Sequence, residues 1–163
     1  MAADVSGAEN RAAYDTMQVY HSHTLICFVP WHLLAGVRNR SLKKTALYKD
    51  EGHKDSDSLS RDELEAISHR FAVKYLLAVM NSSVAREFLR AHRRSNIHLY
   101  PDDWKNLPVP DITPEQQQPI VAVVDKILAA KKADPKADIK ALEDEVDALV
   151  RTAYHAGEGG SAK

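Results

Sequence analysis

The chain has 163 residues, of which 44% are hydrophobic and 28% charged, and its formal net charge is −1. This composition excludes a chain that is disordered throughout, and the length suits one domain or a small domain with a helical arm. No apolar stretch approaches the ~20 residues that a membrane span requires, and the amino-terminal residues lack the pattern of a secretory signal. Together with a single cysteine, Cys27, these features predict a cytoplasmic protein.

Charge is segregated along the chain, although it nearly cancels in the sum. Residues 36–49 carry five cations and no acid, and residues 86–98 carry four arginines and one glutamate. Residues 111–151 carry nine acids against six lysines and arginines. Two basic segments therefore precede an acidic region. Most charge runs of this kind are solvated faces, so a binding role for them needs further support.

The first part of the chain is predicted to hold one short strand and one short helical segment. Residues 1–13 are small, polar and unpatterned, which predicts a disordered amino terminus. Residues 23–29 are β-branched and apolar and end at Pro30, which is typical of a short buried strand. A helix or turn over residues 31–37 should follow, and the polar residues 50–60 are expected to form a loop.

Two amphipathic helices are predicted next. Ser60 and Glu63 form a capping-box pattern, which places a helix start at Ser60. Apolar residues at three- and four-residue steps predict one stripe as far as the Asn-Ser-Ser break at residues 81–83. The stripe comprises Leu64, Ile67, Phe71, Tyr75 and Ala78, and the second helix, over residues 83–93, should bury Val84, Phe88 and Leu89.

The remaining residues are predicted to form a helical hairpin. An extended patch at residues 97–100 is followed by prolines that forbid a long helix until Thr113, whose hydroxyl can cap the next helix. Pro119 should kink that helix or delay its start. Asp134 and Pro135 predict the cap and first turn of a last helix. A break this short makes the two helices antiparallel.

These elements predict a mainly helical α+β fold with a few short strands, at residues 21–29 and 97–100, and a carboxyl-terminal antiparallel hairpin. The expected organisation is a disordered amino terminus at residues 1–13, a target-recognition-like domain at residues 14–110, the hairpin at residues 111–156 and a disordered tail at residues 157–163.

No pattern in the sequence indicates catalysis. There is no glycine-rich phosphate loop, no GxSxG elbow, no HExxH or CxxC pair, and no Asp/Asn-Pro-Pro-aromatic motif of an adenine-N6 methyltransferase. Since chemistry needs grouped reactive residues, we predict a non-enzymatic chain without a cofactor.

A histidine-rich stretch offers donor atoms suited to zinc, but one thiolate is too few for the usual structural zinc sites. We therefore expect structural roles for these side chains and no bound metal. The two tryptophans are expected in core or boundary positions rather than stacked on bases. The donors are His21, His23, Cys27 and His32, and the tryptophans are Trp31 and Trp104.

Residues 75–128 resemble the carboxyl-terminal specificity region of TaqI-like and type IIG restriction-modification methyltransferases. The resembling pieces are KYLLAVMNSSVAREFL, YPDDWKNLPVP and TPEQQQPIVAVVDKILAAKK, followed by the helix through LEDEVDALVRTAY. In that family a helix ending in Asn-Ser precedes the recognition segment, a Leu-Pro-x-Pro turn follows it, and an amphipathic helix pair closes the chain. The Leu-Pro-Val-Pro turn also resembles type I restriction specificity subunits. The family's catalytic domain is not part of this sequence, so the resemblance implies a separate subunit or a fragment that cannot methylate by itself.

The resemblance implies a DNA-recognition module whose partners are double-stranded DNA and a methyltransferase catalytic domain or subunit. Cations would neutralise phosphates, a few side chains would read base edges, and the partner would receive the flipped adenine. Arginine binds phosphate or guanine in a forked geometry, and asparagine reaches base edges. The candidate DNA-contacting residues, chosen by charge and location, are Arg38, Asn39, Arg40, Lys43, Lys44, Arg90, Arg93, Arg94 and Asn96.

A second interpretation makes the chain a protein-interaction module. The acidic hairpin would then dock a methyltransferase, another subunit or a second copy of the chain, and the arginines would only solubilise it. Paired helices of this kind act as spacers and contact surfaces in type I specificity subunits. The hairpin has more apolar residues than the contact between its two helices requires, and these would fit such a partner. They include Val121, Leu128 and Val150.

Overall fold

The chain divides into two compact units, a smaller one at residues 29–71 and a larger one built from residues 1–28 and 72–163. The computed structural model describes residues 2–4, 11–16, 25–39, 59–95 and 98–158. Helices predominate, and a small sheet belongs to the larger unit. The mainly helical α+β class expected from the sequence is therefore confirmed. The four expected domain bounds stay predictions.

The smaller unit pairs two helices. A 3₁₀ helix spans Trp31–Leu34, where the sequence predicts a helix or turn, and helix α1 spans Arg61–His69. Helix α1 begins with the predicted capping box. The Ser60 hydroxyl accepts from the Glu63 amide at 3.3 Å, and the Glu63 carboxylate accepts from the Ser60 amide at 2.7 Å.

Arg61 joins these two helices. Although cationic, it is only 8% exposed, and its guanidinium donates to the Leu34 carbonyl at 2.6 Å. The same group lies 4.4 Å from the centre of the Trp31 ring and pairs with the Glu65 carboxylate at 2.6 Å. Burial of this charge is tolerated because a carboxylate, a carbonyl and an aromatic face compensate the lost water.

The larger unit begins with a three-stranded antiparallel sheet. Strand β1 at Ala2–Asp4 lies between β2 at Ala12–Ala13 and β3 at Leu25–Cys27. Strand β3 confirms the centre of the strand expected at residues 23–29, but the expectation that it is buried is wrong. Its first and last residues are exposed and only Ile26 is half-buried, because alternate residues of a strand face opposite sides.

Five helices are described in the rest of the larger unit. They are α2 at Val73–Asn81, α3 at Ser83–His92, α4 at Pro101–Lys105, α5 at Pro114–Ala133 and α6 at Lys140–Glu158. Helix α2 is central, since it packs against α3, α5 and α6. Tyr75 and Val79 of α2 and Val150 of α6 are completely buried. No described helix is both long and apolar enough to cross a bilayer.

The sequence predicted one helix from Ser60 to the Asn-Ser-Ser break, and this prediction is wrong. Helix α1 ends at His69, and α2 begins at Val73, because Ala72 takes an extended conformation as the N-cap residue of α2. The apolar period continues across the break, so periodicity alone does not reveal it.

Gln117 of α5 fixes the chain at this break. Its side chain is 1% exposed, accepts from the Ala72 amide at 2.9 Å and donates to the Ile112 carbonyl at 3.1 Å. One amide group therefore satisfies the backbone at the start of α2 and in the segment that leads into α5. Backbone groups buried at such points need partners of this kind.

Asn81, the last residue of α2, closes the free edge of β2. Its side chain accepts from the Ala12 amide and donates to the Ala12 carbonyl, both at 2.9 Å. A carboxamide offers the same donor and acceptor as a peptide group. Asn81 therefore takes the place that a further strand would occupy beside β2.

Two tyrosines anchor the proline-rich segment between α4 and α5. The Tyr75 hydroxyl donates to the Pro110 carbonyl at 2.8 Å, and the Tyr154 hydroxyl donates to the Pro108 carbonyl at 2.6 Å. Burial raises the pKa of both hydroxyls, that of Tyr154 to about 12. The Leu-Pro-Val-Pro turn is thus held by helices on either side of it in the sequence.

The strand expected at residues 97–100 is not formed in the described part of that patch, residues 98–100. These residues instead lead into α4, whose N-cap residue is Tyr100. The Asp103 carboxylate accepts from the Tyr100 amide at 2.7 Å. This bond uses the Tyr100 amide to cap the start of α4, so the amide is not available for pairing with a strand.

Helix α5 begins as predicted. The Thr113 hydroxyl accepts from the Gln116 amide at 3.3 Å, and the Gln116 side chain accepts from the Thr113 amide at 2.9 Å. The helix continues through Pro119, so the alternative of a later start is wrong. The missing proline amide deprives only the carbonyl of Glu115, an exposed residue in the first turn.

The predicted antiparallel hairpin is confirmed, but its turn is placed differently. Asp134 ends α5 rather than starting α6, and α6 begins only at Lys140. Residues 134–139 connect two helices that pack against one another, so these helices run antiparallel. The expectation that Val150 faces a partner is wrong, since it is 0% exposed, while Val121 and Leu128 are half-buried.

Replacing Gln117 with Ala should destabilise the larger unit, because the Ala72 amide and the Ile112 carbonyl lose their partner. Each orphaned backbone group costs roughly 1–3 kcal/mol, so we expect a loss of about 2–6 kcal/mol in the free energy of unfolding. Urea denaturation measures it. The matched control is Gln118→Ala at an exposed neighbour, which should change the value by less than about 0.5 kcal/mol. Equal losses in both variants would contradict this role for Gln117.

The raised pKa of Tyr154 predicts a loss of stability in alkali. The folded pKa of about 12 exceeds the value of about 10 for an unfolded tyrosine, so the protonated hydroxyl stabilises the fold fully below pH ~10. This contribution disappears as the pH rises through the folded pKa. The stability difference between wild type and Tyr154→Phe should therefore shrink between neutral and strongly alkaline pH, as measured by denaturant unfolding. Parallel pH curves would refute the assignment.

Candidate nucleic-acid interface

The first basic segment is described only at its start. Arg38 and Asn39 follow the 3₁₀ helix of the smaller unit, and both are exposed. Within the described residues Arg38 makes no ion pair. Arg40, Lys43 and Lys44 lie outside the described residues. The second basic segment belongs to the larger unit, so the expected convergence of the two segments on one surface stays a prediction.

Helix α3 carries the first part of the second basic segment and is fixed at its amino end by α6. The Asp147 carboxylate accepts from the Ser83 amide at 2.7 Å and from the Ser83 hydroxyl at 2.6 Å. A negative charge at a helix amino terminus is favourable because the free amides there carry partial positive charge. Further along α3, Ala85 and Leu89 form its buried face and are 0% and 3% exposed.

A second tie joins α3 to α6 on the solvent side. Arg151 pairs with Glu87 of α3 at 3.0 Å and with Asp147 at 3.3 Å. Burial opposes ionisation of the Asp147 carboxyl, but the hydrogen bonds from Ser83 and the nearby Arg151 guanidinium together lower its pKa. Helix α3 is therefore held in one orientation at two points along its length.

Arg86, Arg90 and Arg93 form what we call the arginine stripe. Arg86 and Arg90 lie one turn apart on α3, and Arg93 is its C-cap residue one further turn on. None of the three makes an ion pair within the described part of the chain. The Nε groups of Arg86 and Arg93 are buried and meet no acceptor among the described residues.

The two buried Nε atoms are closed to solvent, so an external anion would be bound by the terminal amino groups of these side chains. Guanidinium groups bind phosphate and carboxylate oxygens in a forked, charge-assisted geometry. The arginine stripe is thus chemically suited to an anionic, oxygen-rich partner.

Arg94 is largely engaged by its own chain. Its guanidinium pairs with Asp102 at 3.0 Å and with Asp103 at 3.6 Å, and it lies 5.8 Å from the centre of the Tyr100 ring. Lys105 and Arg94 together lower the pKa of the Asp102 carboxyl. Of the candidates in this segment, Arg90 is exposed and Arg93 half-buried, whereas Asn96 lies outside the described residues.

Sequence reasoning omitted Arg86 from the candidate residues. The predicted candidates in this segment begin only at Arg90. The four-residue step from Arg86 to Arg90 was the available signal, because residues at this spacing share a helix face. Burial of the Arg86 Nε, in contrast, depends on tertiary packing.

The tryptophans and the histidine-rich stretch add no further site within the described residues. Trp104 is 4% exposed and packs edge-on against Phe28 with ring centres 5.8 Å apart, which confirms its expected core position. Trp31 lies under Arg61 in the smaller unit. His32 stacks on His69 at 4.4 Å, and its Nδ1 lies 3.0 Å from the Ser68 hydroxyl.

Metal binding finds no support in the described part of the chain, where no three histidine, cysteine or acidic side chains are grouped for it. Cys27 is exposed on β3. The other two donors of the predicted stretch, His21 and His23, lie outside the described residues, so the expected absence of a metal stays a prediction.

Comparison of the chain with protein-family models, with curated proteins and with solved structures gave no match.

The Asp147 contact with α3 predicts a dependence of stability on acid. With a folded pKa below the ordinary value of about 3.9, the carboxylate stabilises the fold above that value and loses this effect as the pH falls through the folded pKa. Asp147→Asn should therefore be less stable than wild type at pH 7, and the difference should close below pH ~4. Urea denaturation across this range checks it.

The control is Glu145→Gln on the exposed side of the same helix, where the structure describes no partner. Its stability should differ from wild type by less than about 0.5 kcal/mol at neutral pH. A wild-type advantage over Asp147→Asn that persists unchanged into acid would contradict the interpretation.

Proposed function

We propose that this chain binds double-stranded DNA through the arginine stripe and serves as a non-catalytic recognition module. The observation that carries the proposal is the set of guanidinium groups on α3 that have no carboxylate partner among the described residues. Elsewhere in the described chain, Arg61, Arg94 and Arg151 pair with acids of their own unit. Arginines left unpaired on one helix favour an external polyanion.

The spacing of the stripe suits a nucleic-acid backbone. At a rise of 1.5 Å per residue, the seven-residue step from Arg86 to Arg93 covers about 10 Å along the axis. Successive phosphates of one DNA strand are about 3.4 Å apart along the helix axis and further apart along the winding strand, so a row of this length can reach more than one phosphate. Contacts to phosphates fix the register of a protein on DNA, and side chains nearby then read the bases.

The finer proposal is that the module serves a bacterial restriction-modification system. It is supported by the resemblance of residues 75–128 to the specificity region of adenine-N6 methyltransferases. In this proposal the chain holds the duplex beside the target, and a methyltransferase subunit accepts the flipped adenine and performs the transfer. Arg38 and Arg40 with Lys43 and Lys44 would supply further contacts from the first basic segment.

A triple substitution of Arg86, Arg90 and Arg93 by Ala should weaken DNA binding and reduce its dependence on salt. Each phosphate contact contributes about 0.9 to the slope of log K against log salt, so the slope should fall by roughly 2 to 3. Fluorescence anisotropy with a labelled random-sequence duplex at several salt concentrations measures both quantities.

The matched control removes three exposed lysines of the hairpin, Lys126, Lys132 and Lys136, and so changes the net charge equally. It should leave affinity and slope nearly unchanged. Equal weakening in both variants would indicate a general charge effect and overturn the role of the stripe. Selection from a random duplex pool tests the finer proposal, which predicts enrichment of a defined sequence.

A further inference from the structure

Arg94 meets two carboxylates with the same edge of its guanidinium group. Its Nη2 lies 3.0 Å from the Asp102 carboxylate, and its Nε lies 3.6 Å from the Asp103 carboxylate. Nε and one N–H of Nη2 share one edge of the planar group, whereas Nη1 and the other N–H of Nη2 form a second pair of donors at its end. Among the described residues no acceptor meets this second pair, which we call the open edge of Arg94.

The two carboxylates are themselves held at the start of α4. The Asp103 side chain is 3% exposed, accepts from the Tyr100 amide at 2.7 Å and accepts from the Arg94 amide at 3.4 Å. Asp102 precedes it in the first turn of α4 and also pairs with Lys105 at 3.2 Å. The guanidinium of Arg94 is therefore oriented by groups whose own positions are fixed.

Although it is held at two points, the Arg94 side chain is 60% exposed. Exposed ion pairs add little to stability, because solvent screens them and the side chains lose freedom. The same loss of freedom favours binding, since an arginine that is already oriented has less entropy to lose when it meets a partner. The side chain that carries the open edge is thus both accessible to a ligand and oriented before the ligand arrives.

Charge indicates what kind of group the open edge would bind. Arg94 and Lys105 bring two positive charges to this cluster, and Asp102 and Asp103 bring two negative ones. A phosphate would gain little from a cluster without net charge, because the carboxylates would repel it. An uncharged group with two acceptors side by side fits better, since its hydrogen bonds to the open edge meet no such repulsion.

Guanine offers such a pair of acceptors in duplex DNA. Its O6 and N7 lie side by side in the major groove, and a forked contact from arginine to these two atoms is the commonest base-specific contact. Arg94 directly follows Arg93, the last residue of the arginine stripe, so their Cα atoms are about 3.8 Å apart. A duplex held by the stripe would therefore lie beside Arg94.

We infer that Arg94 reads a guanine in the major groove of a bound duplex and that Asp102 and Asp103 act as positioning residues. The inference rests on the proposed function, because the arginine stripe must first hold the duplex. It gives neighbouring arginines different roles, since those without a carboxylate partner bind phosphates and the one held by two carboxylates reads a base.

The test starts with selection from a random duplex pool. The full chain should enrich a site with at least one fixed guanine, and Arg94→Ala should no longer select that guanine. Fluorescence anisotropy then compares the selected duplex with one that carries 7-deazaguanine at this position, which pairs normally but lacks N7. The wild type should bind the modified duplex about fivefold or more weakly, whereas Arg94→Ala should bind both duplexes equally.

Asp102→Ala tests the positioning role. It should reduce the penalty for 7-deazaguanine by about threefold or more, because the freed arginine must then be immobilised on binding. Combined with Arg94→Ala, it should change the penalty no further. The matched control, Glu145→Ala, removes one acid from an exposed position on α6 and should leave the penalty at the wild-type value.

A penalty that persists in Arg94→Ala would overturn the assignment of Arg94. If Asp102→Ala changes the affinity for both duplexes equally and leaves the penalty undiminished, Asp102 is a competitor of DNA or a purely structural residue, and its positioning role is overturned. A wild type that binds duplexes in a salt-dependent manner but selects no guanine would overturn the inference alone. A wild type that binds no duplex would overturn the proposed function as well.

Discussion

The larger unit depends on a single buried carboxamide. Gln117 bonds the first backbone amide before α2 and a carbonyl of the segment that enters α5, so three parts of the chain meet at one side chain. An apolar residue there would fill the space but leave two backbone groups without partners. The register of α2 against α5 follows from this contact. The end of α2 is set locally, by the extended conformation of Ser82, which is also the N-cap residue of α3.

The orientation of α3 is fixed by its contacts with the hairpin. Asp147 and Arg151 of α6 hold its first turn and its outer side, and Leu89 fixes its inner side. Arg86 and Arg90 are thereby confined to one flank instead of sampling the surface freely. A rigid helix that presents cations loses less conformational freedom on binding than a loop with the same charges. The acidic hairpin and the basic segment, which look unrelated in the sequence, are mechanically coupled.

Local chemistry explains which parts of the fold were predictable. The capping boxes at Ser60 and Thr113 involve residues three apart, so the sequence displays both partners. The break at Ala72 depends on Gln117, which lies far along the chain, and the apolar period gives no sign of it. The prediction that Asp134 starts the last helix was wrong for a different reason. An aspartate side chain that can cap a helix start also stabilises a turn, as Asp134 does here. Charge alone selected Arg90, Arg93 and Arg94 equally as candidates, whereas the internal pairing of Arg94 depends on Asp102 being close in space.

The amide pair between Asn81 and Ala12 has a consequence for the protein in concentrated solution. An uncovered strand edge is a template on which another molecule can add its own backbone, and this is how sheets recruit one another into aggregates. The bonds from Asn81 occupy the two groups of Ala12 that such a newcomer would use. On this side the sheet ends at the Asn81 side chain, which cannot continue the backbone hydrogen bonds from one molecule to the next.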